Sequence, residues 1–274
     1  TRAPERLRNV IMSIRQTGVP LGGALAGALL PMLIVAYGWR TAALTVGGLS
    51  ALAALAVQPW REQYDSDRNP APPSARVSHA GLLRLVFAAP ALRDIALISF
   101  AYAAVQVCFT SYLVVFLTER AGLTLMTAGA VFSAAMIAGI VGRIAWGAVA
   151  DVVGHARNVL GALGVIMAAC AFAMTQVSAA WPYAGVVALA VVFGASAIGW
   201  NGVFVAEVAR IAPDGDIAQA TGATLGMTYL GVVVGPFIYW AIVTLTASYA
   251  IAFAVMGVCA LMAGLVCFRA PGQL

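Results

Sequence analysis

Residues 142–157 read GRIAWGAVADVVGHAR, and they lie where a long apolar run meets its first charged residues. Within this stretch Gly147, Asp151, Gly154 and Arg157 are separated by three, two and two residues. A carboxylate at the edge of an apolar segment is costly unless a cation or a helix N-terminus faces it. The glycines permit the tight turn and close helix contact that would bring Asp151 to such a partner. The stretch therefore predicts a helix end that makes a specific contact.

The apolar run ending at residue 150 is one of several in the chain. Of the 274 residues, 62% are hydrophobic and 9% are charged, against about 45–50% and about 25% in a soluble domain. This composition excludes an ordinary soluble protein and predicts an all-α, polytopic membrane protein, since a spanning helix needs about 20 apolar residues. Eight candidate transmembrane helices lie at roughly 10–37, 41–59, 92–118, 126–150, 158–178, 182–208, 218–245 and 248–268.

The polar residues argue against several other functions. The arginines lie between apolar runs and form no soluble basic face, so we expect no nucleic-acid partner. The four cysteines lie in apolar stretches with no CxxC pair, which favours small buried side chains over a disulfide or a metal site. With no lysine there is no phosphate-binding GxxxxGK[ST] loop, and both histidines lie in loops. We therefore expect no enzymatic activity, no cofactor and no metal.

Arginine positions predict the orientation, because cytoplasmic loops of membrane proteins are enriched in basic residues. All 15 cationic side chains are arginines, and with residue 1 inside, only Arg40 and Arg120 fall on the outer side. One span more or fewer would destroy this asymmetry. We expect both termini to be cytoplasmic and the membrane to be a bacterial inner membrane.

The charged and proline-rich loop of residues 61–91 divides the chain. It reads as a cytoplasmic linker that ends in a weakly amphipathic helix at 81–88. The predicted domains are thus a two-helix unit at 1–60, the central loop at 61–91 and a six-helix unit at 92–274.

The two units contain an internal repeat. A shift of 204 residues superposes Thr17, Gly18, Leu21, Gly22 and Gly27 on Thr221, Gly222, Leu225, Gly226 and Gly231. We expect these glycines to lie near one helix face, where small residues let backbones approach. Repeated halves are typical of secondary transporters, although a Gly- and Ala-rich chain also matches itself by chance.

The stretch from Gly147 to Arg157 resembles the signature loop of the major facilitator superfamily, which lies between helices 2 and 3 and, in degraded form, between helices 8 and 9. Here His155 and Ala156 replace the usual basic pair, which weakens the charge of the loop. The resemblance covers the whole chain and implies the last two helices of the N-terminal half followed by a complete six-helix C-terminal half. It thus implies a fragment that lacks about the first four transmembrane helices.

The resemblance also implies a conformational gate around the signature loop. Asp151 would latch the start of the first span, around residues 8–16, in one state of the transport cycle, and Arg143 would pair with Glu207. Simple snorkelling of these charges to the headgroups is the alternative. The gate residues are Arg143, Gly147, Asp151, Gly154, Glu207 and Arg210.

Superfamily transporters bind substrate between their halves, chiefly on helices 1, 4, 7 and 10, and the last two correspond here to spans three and six. Gln106 and Asn201 are the sharpest candidates, because an amide in the membrane is costly unless it lines a cavity or meets a partner. Hydrogen bonding between helices, or packing for the aromatics, is the alternative. The predicted substrate-binding residues are Tyr102, Gln106, Phe109, Trp200, Asn201, Thr228 and Tyr229.

The predicted function is secondary active or facilitated transport of a small solute by alternating access. No acidic residue lies at mid-depth in any span, so a coupling proton would need a carboxylate elsewhere, or the protein is a uniporter. The alternative is a non-transporting remnant that acts as a membrane binding or regulatory protein. The lipid bilayer and a small solute are the expected partners.

Overall fold

The computed structural model describes residues 8–65, 86–212 and 217–269, with side chains at 17–60, 86–212 and 219–269. These ranges are almost wholly helical, which confirms the predicted all-α class. The helices are α1 (Arg8–Asp65), α2 (Pro90–Glu119), α3 (Leu125–Val153), α4 (Ala156–Met174), α5 (Tyr183–Ala197), α6 (Trp200–Ile211), α7 (Ile217–Thr246) and α8 (Tyr249–Cys267).

Seven helical segments of the described ranges are long and apolar enough to cross a membrane. The first of them, Thr17–Trp60, has 44 residues, about twice the length that one crossing needs. Gly38 divides it with φ 82° and ψ 162°, a conformation open essentially to glycine alone. Predicted spans one and two are therefore the two sides of this break, and the remaining six segments match spans three to eight.

The central loop is described only in part. Helix α1 continues to Asp65, so residues 61–65 are helical rather than part of a linker. Residues 66–85, which hold the proline-rich stretch and most of the predicted amphipathic helix, lie outside the described ranges. The proposed domain boundaries stay predictions.

One span is broken near its middle. Helix α5 ends at Ala197 and α6 begins at Trp200, yet together they form a single membrane-length segment, Tyr183–Ile211. Ile198 and Gly199 connect them, and both are buried. Both residues keep right-handed helical backbone angles, and Ile198 N–H still bonds Gly194 O at 3.0 Å, so the break is a local distortion of one span and not an unwound segment.

Glycines set the helix contacts around that broken span. A Cβ on Gly142 of α3 would collide with the Ala195 carbonyl of α5, and one on Gly194 would collide with Ala135. In α4, a Cβ on Gly164 would lie 2.6 Å from Gly264 Cα of α8. Small residues thus allow these backbones to approach closely, which is a principal source of helix association in lipid.

The repeated glycines do not share one face as predicted. Gly27 packs on Gly129 of α3, and Gly231 packs on the backbone of Phe100 in α2, whereas no described atom lies within 4 Å of a Cβ on Gly22 or Gly226. The reason is the helical period, because a separation of five residues rotates a position by roughly 140°. Among the described residues, the last glycine of each repeat is therefore the one that reaches a neighbouring helix.

Candidate functional site: a polar cluster at the broken helix

Three predicted substrate residues meet where the span is broken. The Gln106 amide oxygen Oε1, near the middle of α2, accepts hydrogen bonds from Trp200 Nε1 at 3.0 Å and from Asn201 Nδ2 at 3.1 Å. Asn201 Nδ2 also donates to the Ile198 carbonyl at 3.3 Å. Trp200 is fully buried, while Gln106 and Asn201 are half-buried. The Gln106 and Asn201 side chains are therefore hydrogen-bonded between helices, and part of the surface of each remains exposed.

Arg143 joins this polar cluster through the same carbonyl. Its Nε donates to Ile198 O at 3.0 Å, and the side chain is half-buried. Arg143 lies about ten residues before the end of α3, which places it about 15 Å from that end. Arg143 thus lies inside the helix, within the predicted span at 126–150.

The other four predicted substrate residues lie outside this cluster. Tyr102 is fully buried, packs edge-on against Trp200 and donates to the Leu160 carbonyl at 2.7 Å, so it joins α2 to α4. Phe109 is buried against Phe193 with ring centroids 4.4 Å apart. Thr228 is buried and its hydroxyl bonds Ser99 across α2 and α7 at 2.9 Å. Tyr229, in contrast, is 66% exposed on α7.

The signature loop is a glycine-capped helix end. Gly154 ends α3 in the left-handed conformation, with φ 70°, and its N–H bonds Ala150 O at 3.0 Å. Asp151 is exposed rather than half-buried, because it lies on the outer side of the last turn of α3. No described atom lies within 4 Å of a Cβ on Gly147. The side chains of residues 8–16, where the Asp151 partner was predicted, lie outside the described part.

Glu207 has a different partner from the one predicted. It is 1% exposed and forms a bidentate ion pair with Arg210, one turn later in α6, at 2.7 and 2.8 Å. Arg143 instead binds at the helix break, as described above. The pairing of Arg143 with Glu207 is therefore wrong, since an i,i+3 neighbour on the same helix satisfies the carboxylate.

A second buried ion pair was missed from the sequence. Arg157, the last residue of the signature stretch, lies 3.4 Å from the Asp94 carboxylate in the first turns of α2. Its Nε also donates to the Cys267 carbonyl at 3.0 Å. The Arg157 side chain thus connects the starts of α2 and α4 to the end of α8. A carboxylate at the start of an apolar span was the available signal, but nothing in the sequence identified its partner.

The grooves on the surface of α3 differ from the polar cluster. One lies between α1 and α3 and another between α3 and α5, and both are lined almost wholly by apolar side chains. Neither includes Gln106, Asn201 or Arg143. Within the described ranges, no group of three or more His, Cys, Asp or Glu could hold a metal ion.

The family follows from a comparison with known families. The sequence model of the Major Facilitator Superfamily matches residues 1–236. The chain belongs to the Major Facilitator Superfamily. A comparison with curated proteins finds no match. Superfamily membership and the apolar helices together make this a multi-pass membrane protein of a transporter family, whose members typically move small molecules and are not enzymes.

Proposed function

We propose that the protein carries a small solute across the membrane by alternating access, as a secondary active or facilitated transporter. The observation that carries this proposal is the polar cluster of Gln106, Trp200, Asn201 and Arg143 at the break between α5 and α6. Solute sites of secondary transporters lie near the bilayer midplane, and this cluster lies near the middle of the Tyr183–Ile211 span. The membrane is a bacterial inner membrane in this proposal, with both termini in the cytoplasm.

The cluster keeps unused hydrogen-bonding groups. The indole N–H of Trp200 is only a donor, so the Gln106 amide must turn its oxygen toward it. Gln106 Nε2 therefore points away and has no hydrogen-bond partner among the described residues. Asn201 uses Nδ2 on Gln106 and Ile198, which leaves its Oδ1 as an acceptor. A polar solute would supply the missing partners.

We assign the signature loop and the ends of α2, α4, α6 and α8 to the gate. Arg157 holds three of these helix ends together, and the buried Glu207 fixes Arg210 at the end of α6. Gly154 gives the sharp turn that ends α3, and Asp151 is exposed in the last helical turn before it. An exposed carboxylate there can make and break a contact with the first turns of α1 without leaving a buried charge unpaired.

Replacing Asn201 with alanine should lower solute uptake at least about tenfold while the amount of protein in the membrane stays the same. The substitution removes a hydrogen bond to Gln106 and an acceptor that faces the solute, each worth on the order of 1 kcal/mol. The measurement is uptake of a broad solute panel by cells or proteoliposomes containing the protein.

Thr246→Ala is the matched control for that experiment, because the exposed Thr246 hydroxyl bonds only a carbonyl of its own helix, that of Ile242. Its uptake should equal that of the wild type. If Asn201→Ala lowers uptake and membrane content together, the residue acts in packing. If the wild type takes up no solute of any class, the transport proposal is wrong.

A further inference from the structure

We propose that the solute bound at the polar cluster is neutral and is recognised through a group that both donates and accepts hydrogen bonds, a hydroxyl or a carboxamide. This inference rests on the transport function proposed above and specifies its substrate class. Two features of the described structure support it: the fixed orientation of the Gln106 and Asn201 amides, and the accessibility of the amide groups that remain unused.

Trp200 fixes the direction in which the Gln106 amide faces. The indole Nε1–H can only donate, so the amide atom 3.0 Å from it must be the oxygen Oε1. The indole itself is held in place, because Trp200 is fully buried and packs edge-on against Tyr102 and Phe204. Both N–H bonds of Gln106 Nε2 therefore remain available on the other side of the amide.

The same reasoning fixes the Asn201 amide. Its side chain contacts two acceptors, Gln106 Oε1 at 3.1 Å and the Ile198 carbonyl at 3.3 Å, so the contacting atom must be the donor Nδ2. The shape of an amide does not distinguish its oxygen from its nitrogen, but here the chemistry of each partner does. Asn201 Oδ1 is therefore the group that remains available.

The two unused groups are accessible. Gln106 and Asn201 are both half-buried, and neither Nε2 nor Oδ1 has a hydrogen-bond partner among the described residues. Within the described ranges, the Tyr239 hydroxyl is the one fully buried side-chain polar atom without a partner. Nε2 and Oδ1 therefore reach the surface of the cluster, where adjacent amides offer a solute one donor group and one acceptor group.

An ionic group could pair with only one of these two. An ionised carboxylate only accepts, so it would leave Asn201 Oδ1 without a donor, and an ammonium or amidinium only donates, so it would leave Gln106 Nε2 without an acceptor. A hydroxyl or a carboxamide pairs with both. Since a polar group left unpaired in a partly desolvated site costs free energy, the cluster selects the neutral group.

The test is ligand-induced thermal stabilisation of the purified full chain in lipid nanodiscs at constant ionic strength. Acetamide and benzamide are each compared with the acetate and benzoate anions and the acetamidinium and benzamidinium cations, which share their shapes, at equal concentrations. Erythritol is the hydroxyl probe. Affinities follow from the dependence of the melting temperature on probe concentration.

We expect at least one neutral probe to bind, and a bound amide to bind about tenfold or more tightly than either ion of its shape. Binding of erythritol without binding of an amide would identify the recognised group as a hydroxyl, and the reverse result would identify it as a carboxamide.

Gln106→Glu should reverse this preference. The new carboxylate still accepts from Trp200 and Asn201, but it offers the solute acceptors where Nε2 offered donors. The variant should therefore bind an amidinium about tenfold or more tightly than the amide of the same shape. A preference that reverses cannot come from a misfolded chain. Gln176→Glu, the same change at an exposed glutamine, should bind like the wild type.

Binding of no neutral probe, equal binding of an amide and an ion of its shape, or an unchanged preference in Gln106→Glu would overturn the proposal. The transport function fails separately. If an ion is taken up and Asn201→Ala lowers that uptake, the neutral-solute inference is wrong while transport through the polar cluster stands. If the neutral probe binds and no solute of any class is taken up, the transport proposal is wrong while the recognition of a neutral group stands.

Discussion

Replacing Arg157 with alanine is expected to destabilise the protein by about 3 kcal/mol, because the substitution removes a buried partner of the Asp94 carboxylate. The Asp94 side chain is 2% exposed, so water cannot replace the guanidinium. Arg93 stays 3.4 Å from the other carboxylate oxygen, which places the loss at the low end of the range for a broken buried pair. The substitution also removes the donor of the Cys267 carbonyl. The measurement is the free energy of unfolding in mixed micelles titrated with a denaturing detergent.

A second substitution, at Asp94, distinguishes the effect of the unbalanced charge from the effect of the packing lost in Arg157→Ala. Asp94→Asn in the Arg157→Ala background removes the buried charge that has lost Arg157 and should recover most of the lost stability, since replacing both partners is far less harmful than breaking the pair. Arg120→Ala, at an exposed site, should leave stability unchanged. Equal stability of the wild type and the single variant would show that the ion pair contributes nothing.

Replacing Gly164 with leucine is expected to cost about 3 kcal/mol by forcing α4 and α8 apart. A Cβ at this position would collide with the Tyr102 hydroxyl and would lie 2.6 Å from Gly264 Cα and 2.9 Å from the Ala260 carbonyl. Two of these three obstacles are backbone atoms, which cannot move without moving α8. The Tyr102 hydroxyl in turn would lose its hydrogen bond to Leu160 O. Overpacking of this kind typically costs 1–3 kcal/mol.

Gly226→Leu is the matched control, because it makes the same change inside a spanning helix with no described atom within 4 Å of the new Cβ. It should be neutral or slightly stabilising, since glycine is a poor helix former. The measurement is again unfolding by a denaturing detergent, with far-UV circular dichroism as the signal. Equal losses in the two variants would indicate that helix propensity, and not the α4–α8 contact, determines the effect.

The sequence predicted the fold well because the membrane imposes a strong, local rule. The length and the ends of a run of about 20 apolar residues can be read directly from the sequence. Predicted spans three to eight therefore agree closely with helices α2 to α8, in which α5 and α6 together form one span. The boundary between spans one and two was also visible, because Gly38 and Arg40 interrupt an otherwise continuous apolar stretch. No information from distant residues was needed for either result.

The candidate site was predicted in part, and the reason is again physical. Gln106 and Asn201 were identifiable because an amide within a span needs a partner or a cavity, and the structure gives each the other as a partner. Which helix each amide faces depends on tertiary packing, and for this reason Tyr229 was indistinguishable from its buried neighbour Thr228. Both were simply polar residues of one span.

The charged residues were harder to place than the amides. Arg157 and Asp94 are 63 residues apart, so no local pattern connects them. Arg143 was predicted to pair with Glu207, but its position ten residues before the end of α3 places it beside Ile198, between α5 and α6. A pairwise contact between distant helices cannot be read from hydropathy alone.

The central claim is that one site, the polar cluster, is reached alternately from both sides of the membrane. The most direct measurement is alkylation of a single cysteine at position 110, one turn from Gln106 on the same face of α2, with the four native cysteines replaced. Vesicles of either orientation are treated with a membrane-impermeant maleimide, with and without the transported solute. An Asp151→Ala variant is measured in parallel as a probe of the gate.

We expect Thr110→Cys to react from both sides and the solute to slow both reactions. Asp151→Ala should raise the rate from the cytoplasmic side relative to the other, because the proposed gate would lose its carboxylate. Reaction from one side only, with no change in Asp151→Ala, would contradict alternating access at the polar cluster.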